Sequence, residues 1–381
     1  VAVRALAKVN LAAVERNVAR LAREAPGAAV CAVVKADGYG HGMVACARAA
    51  LSGGATWLAV ATALEARALR AALGGDDDTT PILVLGALSD EELPIALEAR
   101  ADVSVWTPER AQALVEGGGP ARVHVKLDSG LGRLGTRMPE EANAVVDLVA
   151  AADHLELVGA WTHFATADER GDAFFGEQLA RFKAWAEPLR AAHPGLLLHA
   201  ANSAAMLRDA ASHFDLVRPG VAIYGLDPFG EDPASRDLEP ALELVSYLAA
   251  LKTAAAGESA GYGRRWAAQR DTLVGTVPIG YGDGYRRALT NKAHALLHGR
   301  RIPLIGAVSM DNVTFDVDAH GLGAKLGDDV VLIGAQGAER ITAEDLATLI
   351  DTINYEITTG ISARVPRQHH RDGEPAEDVA G

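Results

Sequence analysis

Cysteine is almost missing from this 381-residue chain, which carries only Cys31 and Cys46. Both sit in apolar surroundings without metal-ligand spacing, so they read as reduced core residues of a cytoplasmic protein. Positive charge is scarce: 36 basic against 50 acidic side chains give a formal net charge of −14. That balance opposes binding to nucleic acid or to anionic lipid and leaves small metabolites as the expected partners. Long apolar runs are lacking too. Nothing resembles a membrane span, and the opening VAVRALAKVN has no signal-peptide core. No metal motif stands out. The acidic triplet Asp76–Asp78 fits no EF-hand loop and reads as solvated, as do His369 and His370 near the end. What remains is ordinary globular composition, 49% hydrophobic and 23% charged, over a length that suggests two domains.

Short apolar runs alternate with alanine-rich amphipathic stretches, the pattern of repeated βα units. Eight such runs occur: Val30–Val34, Trp57–Ala61, Ile82–Leu85, Val103–Trp106, Arg122–Leu127, Leu155–Thr162, Leu196–Ala200 and Leu216–Arg218. Eight parallel strands with intervening helices such as Met43–Leu51 and Ala63–Leu73 predict a closed (β/α)8 TIM barrel. The barrel is expected over residues 1–235, with its first strand free to pack with the β domain. After Leu226 the pattern changes. DPFGEDPASRDLEP reads as a linker, and residues 236–381 as a mostly-β C-terminal domain with strands in Leu244–Lys252, Thr272–Ile279, Arg301–Ile305, Asn312–Val317 and Val330–Ile333. One helix is expected after Thr342, whose Asp345 makes a capping pattern. A second, opened near Asp351, carries Asn354–Thr358, and the polar end RQHHRDGEPAEDVAG reads as frayed.

The segment VVKADGYGHG ends a buried run in Lys35, then turns through glycines around Tyr39 and His41. Desolvation lowers a lysine's pKa and frees its amine as a nucleophile or Schiff-base former. The alternative is a lysine that snorkels to the strand end without chemical work. Barrel enzymes keep their chemistry at the carboxyl ends of the strands. There this sequence offers Lys35, Lys126 and Asp128 with Arg133 beyond, His163, Asn202 and Ser203, and Arg218 followed by Gly220. Ser203 and the amides of Gly220 and Val221 fall where barrels bind phosphate. Taken singly, Asn202 and Ser203 would be capping groups. A reactive lysine together with a phosphate site suggests pyridoxal phosphate.

At that point the chain resembles the alanine racemases, in VVKADGYGHG, KLDSGLGRLG (126–135), HFATAD (163–168), HAANS (199–203), RPGVAIYGL (218–226), GYGRRW (261–266), GYGDGYRRAL (280–289), SMDN (309–312) and NYEI (354–357). The resemblance implies a pyridoxal 5'-phosphate enzyme interconverting L- and D-alanine and supplying D-alanine for peptidoglycan. It also implies a homodimer whose sites join one subunit's barrel to the other's β domain. Lys35 then matches the Schiff-base lysine and one catalytic base, and Tyr262 the second base, which enters from the other subunit. Tyr39, Ser203, Gly220, Val221 and Tyr355 match phosphate-binding positions. Arg218 matches the arginine on the pyridine nitrogen, and His163 the histidine linked to that arginine and to the catalytic tyrosine. Arg133 matches the residue serving the cofactor's phenolic oxygen and the substrate carboxylate. Met310 with Asp311 resembles the substrate-carboxylate site, Tyr281 an entry tyrosine, and Lys126 a lysine carbamylated in some members. His41 and His199 carry no assigned role.

Elementary chemistry agrees with these roles. Inverting Cα needs one base on each face. A tyrosine, with its ordinary pKa near ~10, needs nearby positive charge to serve as one. Arginine is a donor only, so at the pyridine nitrogen it keeps that nitrogen unprotonated and disfavours transamination. Alone, Tyr262 would pass as a β-domain core tyrosine and Met310 as a gap filler. Two other readings stay open: a racemase of broader or different choice, such as serine, and a pyridoxal phosphate binder without turnover.

Overall fold

The computed structural model describes residues 3–376. Two compact units separate by their internal contacts. Among the described residues, one holds 15–38 and 43–223, and the other holds 3–14, 39–42 and 224–376. The first strand, β1 (Leu6–Asn10), belongs to the latter.

The next eight strands build the first unit: β2 (Ala29–Val33), β3 (Trp57–Val60), β4 (Ile82–Val84), β5 (Asp102–Val105), β6 (Ala121–Lys126), β7 (Leu155–Trp161), β8 (Leu197–His199) and β9 (Leu216–Val217). They run parallel in the order β8-β7-β6-β5-β4-β3-β2-β9. Backbone bonds from Asp215 N to Leu198 O (3.0 Å) and from Arg218 N to Ala201 O (2.9 Å) bring β9 round to β8, so the barrel is nearly closed. Each run expected from the sequence lies within a residue or two of an observed strand. The runs are largely apolar because both strand faces are covered. In β4, for example, Ile82, Leu83 and Val84 are all fully buried, each contributing roughly 1.5–3 kcal/mol relative to exposure. The helices between are set by their caps. Ala63–Leu73 starts on a complete capping box, with Thr62 accepting from Glu65 N and the Glu65 carboxylate accepting from Thr62 N.

In the second unit β1 lies between two strands, antiparallel to Leu242–Tyr247 and parallel to Arg367–Arg371. The end of the chain is thus no frayed tail through Arg371: backbone pairing with β1 orders it, although its side chains are polar. The part of that expectation concerning residues 377–381 lies outside the described residues. A smaller sheet joins Ala250–Ala254, Thr272–Val277 and Val313–Asp316. The apolar run Leu244–Lys252 therefore contains parts of two strands in different sheets, and the buried-exposed alternation breaks after Leu248. His294–Leu297 and Glu339–Ile341 add strands the sequence did not announce. The segment read as a linker is also built into its unit. Asp227 is buried, accepts from Phe229 N (2.6 Å) and pairs with Arg236. Both expected helices form, Ala343–Leu349 behind a Thr342–Asp345 capping box and Asn354–Thr359. Asp78 of the acidic triplet pairs with Arg70 at 2.5 Å, while the Asp76 side chain lies outside the described residues. Among the described residues no helix is long and apolar enough to cross a membrane, and no cluster of His, Cys, Asp and Glu could hold a metal ion.

Candidate active site

Lys35 follows β2 after the buried Val34 and stands at the carboxyl end of the barrel. Directly behind it Ala36, Asp37, Gly38 and Tyr39 all take left-handed backbone angles, with φ of 52°, 52°, 61° and 54°. Three of these carry a Cβ, and such residues resist this conformation by about 1–2 kcal/mol each. Side chains from the same unit hold part of the turn. Glu65 accepts from Ala36 N at 2.7 Å through one oxygen and from Ala61 N (2.9 Å) and Thr62 N (3.1 Å) through the other. Asp37 accepts from Met43 N at 2.9 Å. Burial pushes the Lys35 amine below its ordinary pKa, Arg133 adds to the effect and Glu65 partly opposes it. The amine is thereby easier to obtain uncharged.

Lys126, the last residue of β6, is pushed down to about 7 by burial, then by Arg218 and Arg133. Its Nζ sits 3.8 Å from the centre of the Trp161 ring. Asp128 organises the loop that carries Arg133. Burial pushes its carboxyl up, but N–H groups of Gly132 and Gly130 and the Arg137 guanidinium outweigh this and hold it below the usual range. Ser203 is buried, and its Oγ accepts from Gly220 N (2.9 Å) and Ala222 N (3.3 Å), which ties the ends of the last two barrel strands together around Val221. With both lone pairs engaged, its hydroxyl proton is directed to a further acceptor. Asn202 does something else: its side-chain oxygen caps the Ser203–Arg208 helix through Ala205 N at 2.9 Å.

Arg218 is buried against the Trp161 ring, 4.8 Å from its centre. It donates through Nη1 to His199 Nδ1 (2.8 Å) and through Nη2 to the carbonyls of Thr162 (2.8 Å) and Ala200 (3.0 Å). Burial lowers its pKa to about 10, which still leaves it charged at neutral pH. The imidazole bonded to Arg218 is therefore that of His199, not His163 as expected. His199 ends β8, whereas His163 stands two residues beyond β7, where the charge of Arg218 lowers its pKa. Burial, Arg218, Lys126, Arg133 and Lys35 together hold His163 well below its ordinary pKa, so its ring is neutral. His199 had no role from sequence; the only available signal was its position as the polar end of a buried strand.

The remaining candidates lie in the other unit. Tyr39 is buried, its ring 5.9 Å from that of Tyr355 and 5.2 Å from that of Tyr224, and burial pushes its phenol up. Gly40 permits a tight passage, since a Cβ there would lie 2.2 Å from the Thr358 carbonyl oxygen. Tyr262, Tyr281 and Met310 are exposed, Tyr262 by 72%. Tyr262 stands on a short turn entered through Gly261 at φ 73°. Asp311 is engaged within its own unit, accepting from Arg364 at 2.7 Å.

A lysine amine of lowered pKa, a hydroxyl with its proton to give and a charged donor-only arginine share the strand ends of a (β/α)8 barrel, which defines a barrel enzyme of the lysine-dependent kind with a β-rich second unit. The alanine racemase N-terminal domain family matches residues 9–228 and the alanine racemase C-terminal domain family residues 241–369. An alanine racemase of Symbiobacterium thermophilum is 42% identical over 367 residues, 95% of this chain and 96% of the relative. The solved alanine racemase of Streptomyces coelicolor A3(2) superposes with a TM-score of 0.90 at 40% identity, covering 96% of this chain and 97% of that one. That of Bacillus anthracis, with bound L-Ala-P, gives 0.89 at 36% identity over 99% and 97%. The chain belongs to the alanine racemase family.

Proposed function

We propose that this chain interconverts L- and D-alanine using pyridoxal 5'-phosphate attached at Lys35, as a homodimer, and so supplies D-alanine for peptidoglycan. The observation that carries the reading is the Lys35 amine, half-buried at the first barrel strand's end and kept below its ordinary pKa by burial and Arg133. The donor set fits such a group. Ser203 offers its hydroxyl proton beside Gly220 and Val221 for a phosphate, with Tyr39 and Tyr355 as further phosphate partners. Arg218 uses three N–H groups on His199, Thr162 and Ala200 and keeps two of its five for a ring nitrogen. When bound, the cofactor supplies the electron sink that makes the Cα proton of alanine acidic.

The chain's own side chains do the rest. Lys35 takes or returns the Cα proton on one face, and the partner subunit's Tyr262 on the other. The exposure of Tyr262 in its own subunit supports that use. Arg133 holds the carboxylate side of alanine, with Met310 and Asp311 as the matching positions of the β unit and Tyr281 at the entry. Lys126, with a pKa of about 7, keeps a neutral amine fraction able to add carbon dioxide. An alanine racemisation assay with and without added pyridoxal phosphate tests substrate and cofactor together. Activity that rises with the cofactor, and a pyridoxyl group on Lys35 in the mass spectrum after borohydride reduction, are the expected results. Turnover confined to serine or another amino acid, or no group on Lys35, sinks the reading.

A further inference from the structure

Arg218 is one end of an unbroken line of side-chain hydrogen bonds through the barrel unit. His199 Nδ1 receives Arg218 at 2.8 Å; His199 Nε2 lies 2.8 Å from His124 Nδ1; His124 Nε2 lies 3.0 Å from Asp102 Oδ2. Asp102 Oδ1 receives Arg122 Nε at 2.9 Å, and Arg122 reaches Glu156 at 2.5 Å in turn. The linking groups stand on four strands: Asp102 opens β5, His124 is within β6, His199 ends β8 and Arg218 comes directly after β9. Both imidazoles and Asp102 are essentially without solvent exposure. Trp161 stacks on His199 (5.6 Å, 6°) and Trp57 meets the edge of His124 (5.6 Å, 86°), so water has no access along these faces.

The partners dictate the proton arrangement. Guanidinium only donates, so His199 Nδ1 must accept, and a ring with a bare Nδ1 carries its proton on Nε2. That proton points at His124 Nδ1, which must accept in turn, and His124 donates from Nε2 to the carboxylate. Both rings are therefore neutral Nε2–H tautomers, and all bonds run one way, from Arg218 to Asp102. Burial, then Arg218, His124 and Lys126, hold His199 well below its ordinary pKa, in keeping with a neutral ring. The backbone makes room for the line. A Cβ on Gly159 of β7 would lie 2.5 Å from His124 Nδ1, and the β6–β7 register shifts between Val123 and His124.

We propose that Asp102, acting through His124 and His199, is a positioning residue that fixes the pose of Arg218. This rests on the racemase reading, because Arg218 matters through the ring nitrogen it faces. If Asp102 becomes Asn, the amide N–H turns toward His124 Nε2. The proton order then reverses along both rings and presents His199 Nδ1–H to a guanidinium N–H. Arg218 must turn away. Losing the outer partner of a metal-bound imidazole costs about 10–100-fold in metal affinity or activity, and a loss in kcat of similar order is expected here with a smaller change in KM. The share of turnovers that end in transamination, with pyruvate released and the amino group left on the cofactor, rises.

The test starts from the wild-type holoenzyme labelled with 15N-histidine, whose ring nitrogens report tautomer without any turnover; His124→Gln and His199→Gln assign the signals. Two Nε2–H rings are expected, and an Nδ1–H or cationic ring at either position overturns the proposal. Asp102→Asn comes next, read for tautomer, kcat, KM and pyruvate yield. Reversed tautomers with kcat and pyruvate yield unchanged would overturn the functional claim. Should this variant fail to fold, Gly159→Ala, which crowds His124, gives the same readouts: Arg218-dependent partition must shift toward pyruvate, and an unshifted partition with a displaced His124 signal is equally fatal. A wild-type protein with the expected tautomers but no alanine turnover would instead refute the racemase reading and leave the line of bonds intact.

Discussion

Replacing Glu65 by glutamine turns one acceptor oxygen into a donor within a carboxylate that receives three backbone N–H groups, at 2.7, 2.9 and 3.1 Å. The amide's remaining oxygen can serve Ala36 or the Ala61–Thr62 pair, not both. A charge-assisted bond contributes about 1.5–3 kcal/mol when its groups are dry, but Ala36 and Thr62 are exposed, so water replaces part of what is lost. A cost of about 1–2 kcal/mol is left, similar to the loss of a helix cap. At roughly 2–4 °C per kcal/mol for a unit of this size, the unfolding midpoint falls by several degrees. The carboxylate has a second effect, since it opposes the lowering of the Lys35 pKa. Glu65→Gln removes that opposition, so the amine titrates at lower pH. Competitive acetylation of lysines at graded pH, read by mass spectrometry, tracks the Lys35 midpoint independently of any cofactor. A midpoint that stays put or rises while the protein loses stability would show that Glu65 is a cap and nothing more. No change in either quantity would remove the clamp altogether.

Lys126 ties stability to pH. Its folded pKa of about 7 lies below its ordinary 10.5, so between those values the unfolded chain binds the extra proton and stability rises with pH, the penalty being complete below about 7. The advantage of Lys126→Met over wild type in melting temperature, measured in carbon-dioxide-free buffer, should accordingly shrink between pH 7 and 10; a constant difference refutes the assignment. Gly40→Ala places a Cβ 2.2 Å from the Thr358 carbonyl oxygen at φ +84°, and urea unfolding should show a loss of about 2–4 kcal/mol. Thr342→Ala removes the acceptor for Asp345 N at 3.1 Å and should cost about 1 kcal/mol by the same measurement.

The barrel was legible because buried parallel strands write themselves as short Val, Leu and Ile runs. Carboxyl-end polar residues such as Lys35, Ser203 and Arg218 stood out against those runs. Asp102 and His124 did not. Asp102 opens β5 and His124 lies within β6, and their partners stand 22 and 75 positions away, spacings with no local pattern. Glu65 was hidden in an ordinary capping box, with nothing in its segment to show that its second oxygen reaches back to Ala36. The exchange of His163 for His199 beside Arg218 has a similar cause: one ends a buried strand and the other follows one by two residues, and only the barrel's closure decides which one the guanidinium meets. In the β unit, pairing rather than composition orders Arg367–Arg371, since its polar side chains carry no strand signature.

That same pairing constrains how the molecule is made. As the polypeptide leaves the ribosome, β1 emerges well before its neighbours, both of which are encoded more than two hundred residues later. The barrel residues can collapse around their own interior meanwhile, but one edge of the first strand waits for Leu242–Tyr247 and the other for Arg367–Arg371. A nascent chain stalled or clipped shortly before Arg367 would keep one of those edges open, an adhesive border for other unfinished copies.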